Sequence, residues 1–134
     1  MSGENVEVVR ELWQAYEKRG LDAVLEFFDE NINWRAVPGA IDDEEELHGI
    51  EAMRRYLGDW LETFADISTV PTEILDLGGE RVLAVLRVWG RARLSGIETG
   101  LNYAVVYTLR EGKIVRGREY LDRSEALKAV GLEE

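Results

Sequence analysis

The spacing of apolar residues changes once along this chain, near residue 65, and that change limits the fold more than any single motif does. Before it, apolar side chains recur every three or four residues. Val6, Val9, Trp13 and Tyr16 do so between about residues 4 and 19, and Ile50, Met53, Leu57, Trp60, Leu61 and Phe64 between about 50 and 64. This spacing gathers them on one stripe of a helix. Gly20 ends the first helix, and Asp22 caps a short second one over residues 23–28, anchored by Leu25, Phe27 and Phe28. A short alternating strand, residues 32–37, stops at Pro38-Gly39. After residue 65 the pattern alternates with period two. Strands are predicted over 67–77, 82–93, 99–109 and 113–121, separated by Gly78-Gly79, Ser95-Gly96 and Glu111-Gly112. Pro71 marks an edge position or a bulge. Asp122 and Glu125 have capping-box spacing and open a last short helix through Val130, ended by Gly131. Helices first and antiparallel strands second define the α+β class. A strongly twisted sheet with helices on one face encloses a concave volume.

Composition narrows what such a volume serves. The chain has 134 residues, enough for one domain with one core, and 46% of them are hydrophobic. Its 27 acids outweigh 16 bases for a net charge of -11, which repels nucleic-acid backbones and anionic membranes. There are no cysteines, so disulfides, thiolate catalysis and Cys-ligated metals are excluded. No basic-then-apolar leader opens the chain, and no apolar run approaches the ~20 residues that span a bilayer. A cytoplasmic protein without nucleic-acid or membrane partners is the expectation.

Few residues carry chemistry. Glu119 stands among alternating side chains near the end of the last strand. If its face is covered it is an enclosed acid, the usual start of acid–base chemistry, and if not it is a surface charge. His48 is the only histidine, and an isolated one reads as a loop or cap residue. One histidine and no cysteine make a transition-metal site unexpected. The acidic run Asp42-Asp43-Glu44-Glu45-Glu46 lacks the spaced ligands and central glycine of a calcium loop and reads as solvated charge. No metal and no cofactor are expected.

Several features together resemble the SnoaL-like family of the nuclear-transport-factor-2-like superfamily. They are the element order, the Leu21-Asp22-Ala23 junction after the first helix, and Trp34 on a short strand. His48-Gly49-Ile50-Glu51-Ala52-Met53 opening the third helix, the hairpin Leu109-Arg110-Glu111-Gly112-Lys113-Ile114 and the ending Tyr120-Leu121-Asp122 complete the set. The resemblance implies one SnoaL-like domain over residues 1–134. Its fold would be a cone-shaped half barrel, a curved, mostly antiparallel sheet wrapped around the N-terminal helices. It also implies a homodimer through the outer sheet face, assigned here to Val82, Ala84, Leu86 and Val88.

Polyketide cyclases, ketosteroid isomerase and limonene-type epoxide hydrolases share this fold, so the fold alone does not give a function. The resemblance to epoxide hydrolases places Arg87, Trp89, Tyr103, Glu119 and Leu121 toward the pocket. Trp34 and Ala36 would form its floor or mouth, and Tyr16, Tyr56 and Trp60 would close it. Epoxide hydrolases carry Arg-x-Asp on the long strand and a last-strand Asp, whereas this chain has Arg87-Val88-Trp89 and Glu119. Ketosteroid isomerase has its base near Ala36 and its acid near Ala104 and Val105, and polyketide cyclases often have a histidine near Ala104, so these groups are absent as well. What the resemblance implies is a pocket for a hydrophobic, oxygenated small molecule, with Glu119 moving protons in an isomerisation, cyclisation or hydrolysis. Arg87 would orient that acid or stabilise an oxyanion. The alternative is a non-catalytic ligand-binding or dimeric interaction module.

Overall fold

In the computed structural model, which describes residues 2–36 and 46–131, the apolar stripe of α1 (Ser2–Arg19) is pressed against the sheet, with Val9 and Leu12 fully buried. Val37, Pro38, Gly39 and the acidic run up to Glu45 lie outside the described residues. A turn at Gly20, whose φ of 87° suits glycine, leads into α2 (Leu21–Leu25). This helix is shorter at its end than the residues predict, because Phe28 instead opens β1 (Phe28–Arg35) and pairs with Ile114. A two-residue strand, β2 (Leu47–His48), pairs antiparallel with β1 and was not anticipated. α3 (Ile50–Thr63) follows and buries Met53 and Tyr56.

The second half forms β3 (Ser68–Gly78), β4 (Arg81–Arg91), β5 (Glu98–Arg110) and β6 (Lys113–Tyr120), then α4 (Arg123–Ala129). Asp122 caps α4, its carboxylate accepting from the Glu125 backbone N–H at 2.8 Å. The six strands run in the order β2-β1-β6-β5-β4-β3 in one open, mixed sheet. β3 to β6 are joined in sequence as antiparallel hairpins, and β1 lies parallel to β6. Pro71 sits on the edge strand β3, beside a register shift between Pro71 and Glu73. The fold is of the α+β class that the order of elements implied, and of the half-barrel form that the resemblance implied.

Helices cover both faces of the sheet, unequally. The first three pack on the inner face over the main core, which includes Val82, Ala84, Leu86, Val105 and Tyr107. On the outer face α4 covers a smaller core of Leu83, Ala104 and Val106 with its own Ala126 and Leu127. The assignment of β4's faces is thereby reversed. Val82, Ala84, Leu86 and Val88 point inward and are at most 6% exposed, so they cannot form an outer pairing surface. Arg87 and Trp89 point the other way. The register explains it: Val82, Ala84 and Leu86 pair with the inward Tyr107, Val105 and Tyr103.

Candidate functional site

The inner face converges on Glu119. In the parallel pairing of β1 with β6, Trp34 stands opposite Gly117, two residues before Glu119. The Trp34 indole lies across Gly117 so closely that any Cβ there would overlap its six-membered ring. Only glycine permits this approach. It lets the ring reach along β6, where Trp34 Nε1 donates to Glu119 Oε2 at 2.8 Å. From α3, the Tyr56 hydroxyl lies 2.9 Å from Oε2 and 3.0 Å from Oε1, so its proton serves either oxygen. Glu119 is 8% exposed, and no other described acidic or basic residue is buried as deeply. Two donors from two elements therefore hold this carboxylate in one orientation.

Tyrosines from β5 add further hydroxyls. Burial pushes the Tyr103 hydroxyl well above its ordinary value, and the negative charge of Glu119 pushes in the same direction. Burial likewise raises Tyr107; the Trp13 indole N–H works against that shift, and the Glu119 charge adds to it. At neutral pH both phenols keep their protons and are hydrogen-bond donors. Tyr16 is raised by burial too, with Thr69 opposing. Trp13 Nε1 is buried and, among the described residues, meets no partner with hydrogen-bond geometry.

These groups border a cavity of about 80 Å³ between α1, α3 and the sheet. Its floor is buried and includes Val24, Phe28, Trp34, Tyr56, Tyr107 and Glu119. Its rim is half-exposed to exposed and is formed by Tyr16, Leu21, Leu57, Trp60, Leu61 and Ile67. Apolar walls with a few convergent polar groups are the make-up of a small-molecule site.

Of the residues singled out from the sequence, Tyr16, Trp34, Tyr56, Trp60, Tyr103 and Glu119 line this one cavity. The others do not. Ala36 is buried in the adjoining core, and Leu121 lies just past β6 and is 65% exposed. Arg87 is exposed on the far face of β4, between Val70 and Asn102, and does not line the cavity. Trp89 borders a separate open groove outside the cavity. His48 lies on β2 with its side chain 71% exposed, near Asn33 and Glu46. Trp13 and Tyr107 belong to the site and were not singled out for it. Their signals were present, Trp13 on the apolar stripe with Tyr16 and Tyr107 on the same strand face as Tyr103.

The sequence matches the family of SnoaL-like domains over residues 9–117, and the chain belongs to that family. No curated protein matches it. Among solved structures, Bal32a from a soil-derived mobile gene cassette is 26% identical, with 89% of each chain covered and a TM-score of 0.76. An NTF2-like protein of unknown function from Burkholderia pseudomallei is 21% identical, covers 96% of this chain and 98% of its own, and has the same TM-score. TerC, co-crystallised with polyporic acid, is 18% identical over 94% of this chain and 96% of its own, with a TM-score of 0.75. Matches this distant attest the NTF2-like fold. No helix among the described residues is long and apolar enough to cross a membrane.

Proposed function

We propose that this protein takes a hydrophobic, oxygenated small molecule into the cavity under α1 and α3, and that Glu119 moves a proton on it. One observation carries the reading: a carboxylate at the floor of an apolar cavity, aimed by Trp34 Nε1 and the Tyr56 hydroxyl. A positioned carboxylate within reach of a bound ketone acts as a general base. Glu119 takes a proton from the carbon next to the carbonyl, leaving an enolate and a neutral carboxyl group. Returning the proton at another carbon isomerises the molecule. Attack of the enolate carbon on a second carbonyl within it closes a ring, and the proton goes to the new alkoxide. Tyr103 and Tyr107, which keep their protons, are the donors available to an oxyanion. TerC, a protein of this fold, was co-crystallised with polyporic acid, which supports a small-molecule ligand.

The test needs no knowledge of the natural substrate. With 2-tetralone in D2O, exchange of the α-protons is followed by proton NMR. The wild type is expected to accelerate exchange above buffer, and Glu119→Gln to lose that acceleration by about a hundredfold or more. Equal exchange rates for the two proteins would remove Glu119 from the chemistry. The competing reading, a binder without catalysis, is favoured by one feature: both oxygens of Glu119 already accept hydrogen bonds from the protein. On that reading 2-tetralone quenches tryptophan fluorescence on binding, and its exchange stays at the buffer rate.

A further inference from the structure

The cavity's size does not match that of an ordinary ligand. At about 80 Å³ it holds a small polar head, whereas sites for drug-sized ligands run to roughly 300–1,000 Å³. The remainder of a larger molecule must lie elsewhere, and the rim indicates where. Tyr16, Leu21, Leu61, Ile67 and Thr69 line the cavity on one side, and on the other they line an open groove of about 870 Å³. The cavity grows more exposed toward these same residues, with the buried Glu119 at one end and the 38%-exposed Leu61 at the other. Of the large apolar residues left exposed, Leu61, Val70 and Trp89 all border this groove. The other exposed large apolar residues, Leu94, Ile97, Leu101 and Leu121, do not line it. Leu61, Val70 and Trp89 form a track that begins at the cavity mouth. Of the two acids that line the groove, Glu17 and Asp66, Asp66 is paired with Arg91.

We propose that this groove is a second subsite that holds the apolar tail of the ligand whose polar head sits at Glu119. The inference rests on the reading of the cavity as a ligand site. It defines the ligand as an elongated molecule with a compact oxygenated head and an alkyl or aryl tail that passes Leu61 and Ile67 to reach Val70 and Trp89 at the edge of the sheet. Those two residues set the tail preference from a distance and touch no reacting atom.

The experiment compares 4-ethylphenol with 4-hexylphenol by calorimetry, since the phenol head carries the hydroxyl for Glu119 and only the tail differs. Full burial of a methylene strengthens binding by about three- to fourfold. Over four methylenes in a partly open groove, the hexyl probe is expected to bind at least about tenfold more tightly. Combining Trp89→Ser with Val70→Ser removes the track at two exposed positions, where substitutions rarely disturb folding. This variant is expected to lose most of the hexyl advantage and to bind 4-ethylphenol as the wild type does. A wild type that binds 4-ethylphenol but gains nothing from the longer tail would overturn the tail subsite and leave the cavity reading standing. So would a variant that keeps the full gain. If neither phenol binds, both readings fall.

Discussion

The two faces of this sheet are made by alternate residues of the same strands, yet they treat polar groups in opposite ways. On the inner face, one carboxylate is sealed among aromatic rings and held by an indole and a phenol. On the outer face, the charges are paired at the surface. Arg123 Nε meets Glu73 at 2.8 Å, and Arg35 meets Glu46 at 2.9 Å, with each side chain a third exposed or more. Removing a partner from a buried group leaves an unmet desolvation cost, whereas water replaces a lost partner at the surface. Geometry should therefore matter far more on the inner face, and matched changes on the two faces test this.

A pair of glycines gives the largest contrast. At Gly117, on the inner face, a methyl group would overlap the Trp34 ring, and at Gly100, on the outer face, it would meet nothing closer than 3.8 Å. Gly117→Ala is expected to cost about 3 kcal/mol from overpacking, and more if the Trp34–Glu119 bond is lost. Gly100→Ala is expected to stay within about 0.5 kcal/mol of the wild type, because alanine suits a strand at least as well as glycine. Urea unfolding of the two variants measures the difference. If they shift alike, Trp34 can move aside freely, and the oriented carboxylate is not a rigid feature of the fold.

The next contrast concerns hydrogen bonds. Tyr56→Phe leaves the ring of a fully buried side chain in place and removes the hydroxyl that serves both oxygens of Glu119. The expected loss is about 1–3 kcal/mol. Glu73→Gln on the outer face weakens its half-exposed pair with Arg123, for an expected loss under about 1 kcal/mol. A Tyr56→Phe protein as stable as the wild type would mean that the Tyr56 hydroxyl is not needed to hold the acid. The same variant should slow 2-tetralone exchange less than Glu119→Gln does, since it alters the orientation of the base and leaves the base itself.

How far this contrast could be read in advance differs between the strands. The change from helical to strand periodicity gave the element order, and inward-facing residues on β5 and β6 follow from simple alternation. On β4, alternation failed. Leu83 and Val85 are apolar because α4 covers part of the outer face, and Val82 and Ala84 are apolar because the inner helices cover theirs. A strand covered on both faces carries no signal of which side is which. Only its second half, Leu86 and Val88 against Arg87 and Trp89, distinguishes water from core, and there the resemblance to epoxide hydrolases pointed the wrong way. The partners of Glu119 were harder still. Trp34 and Tyr56 lie 85 and 63 residues away in sequence; the first meets Glu119 through the parallel β1–β6 register and the second through the packing of α3 on the sheet, and no local pattern encodes either. Gly117 is the exception in hindsight, a glycine inside a strand, where close approach by another group is one of the few explanations.

The smallest effects show only away from neutral pH and separate the faces by the side from which each fails. Inner-face Tyr107 has its folded-state value raised above the ordinary 10.0, chiefly by burial. Its contribution is complete below pH 10 and declines as the pH rises further, where the unfolded chain releases a proton that the folded one retains. Outer-face Glu46 is shifted the other way, held below the ordinary 4.5 first by its hydrogen bond from Arg35. Its small contribution is complete above about pH 4.5 and is lost as the pH falls through the lowered folded value. Urea midpoints between pH 3 and 11 should therefore drop at both ends. Tyr107→Phe should flatten the alkaline limb, and Glu46→Gln the acid limb by a smaller amount, because water screens that pair. An alkaline limb unchanged in Tyr107→Phe would show that this phenol meets water readily, and the inner face would then be less sealed than its geometry indicates.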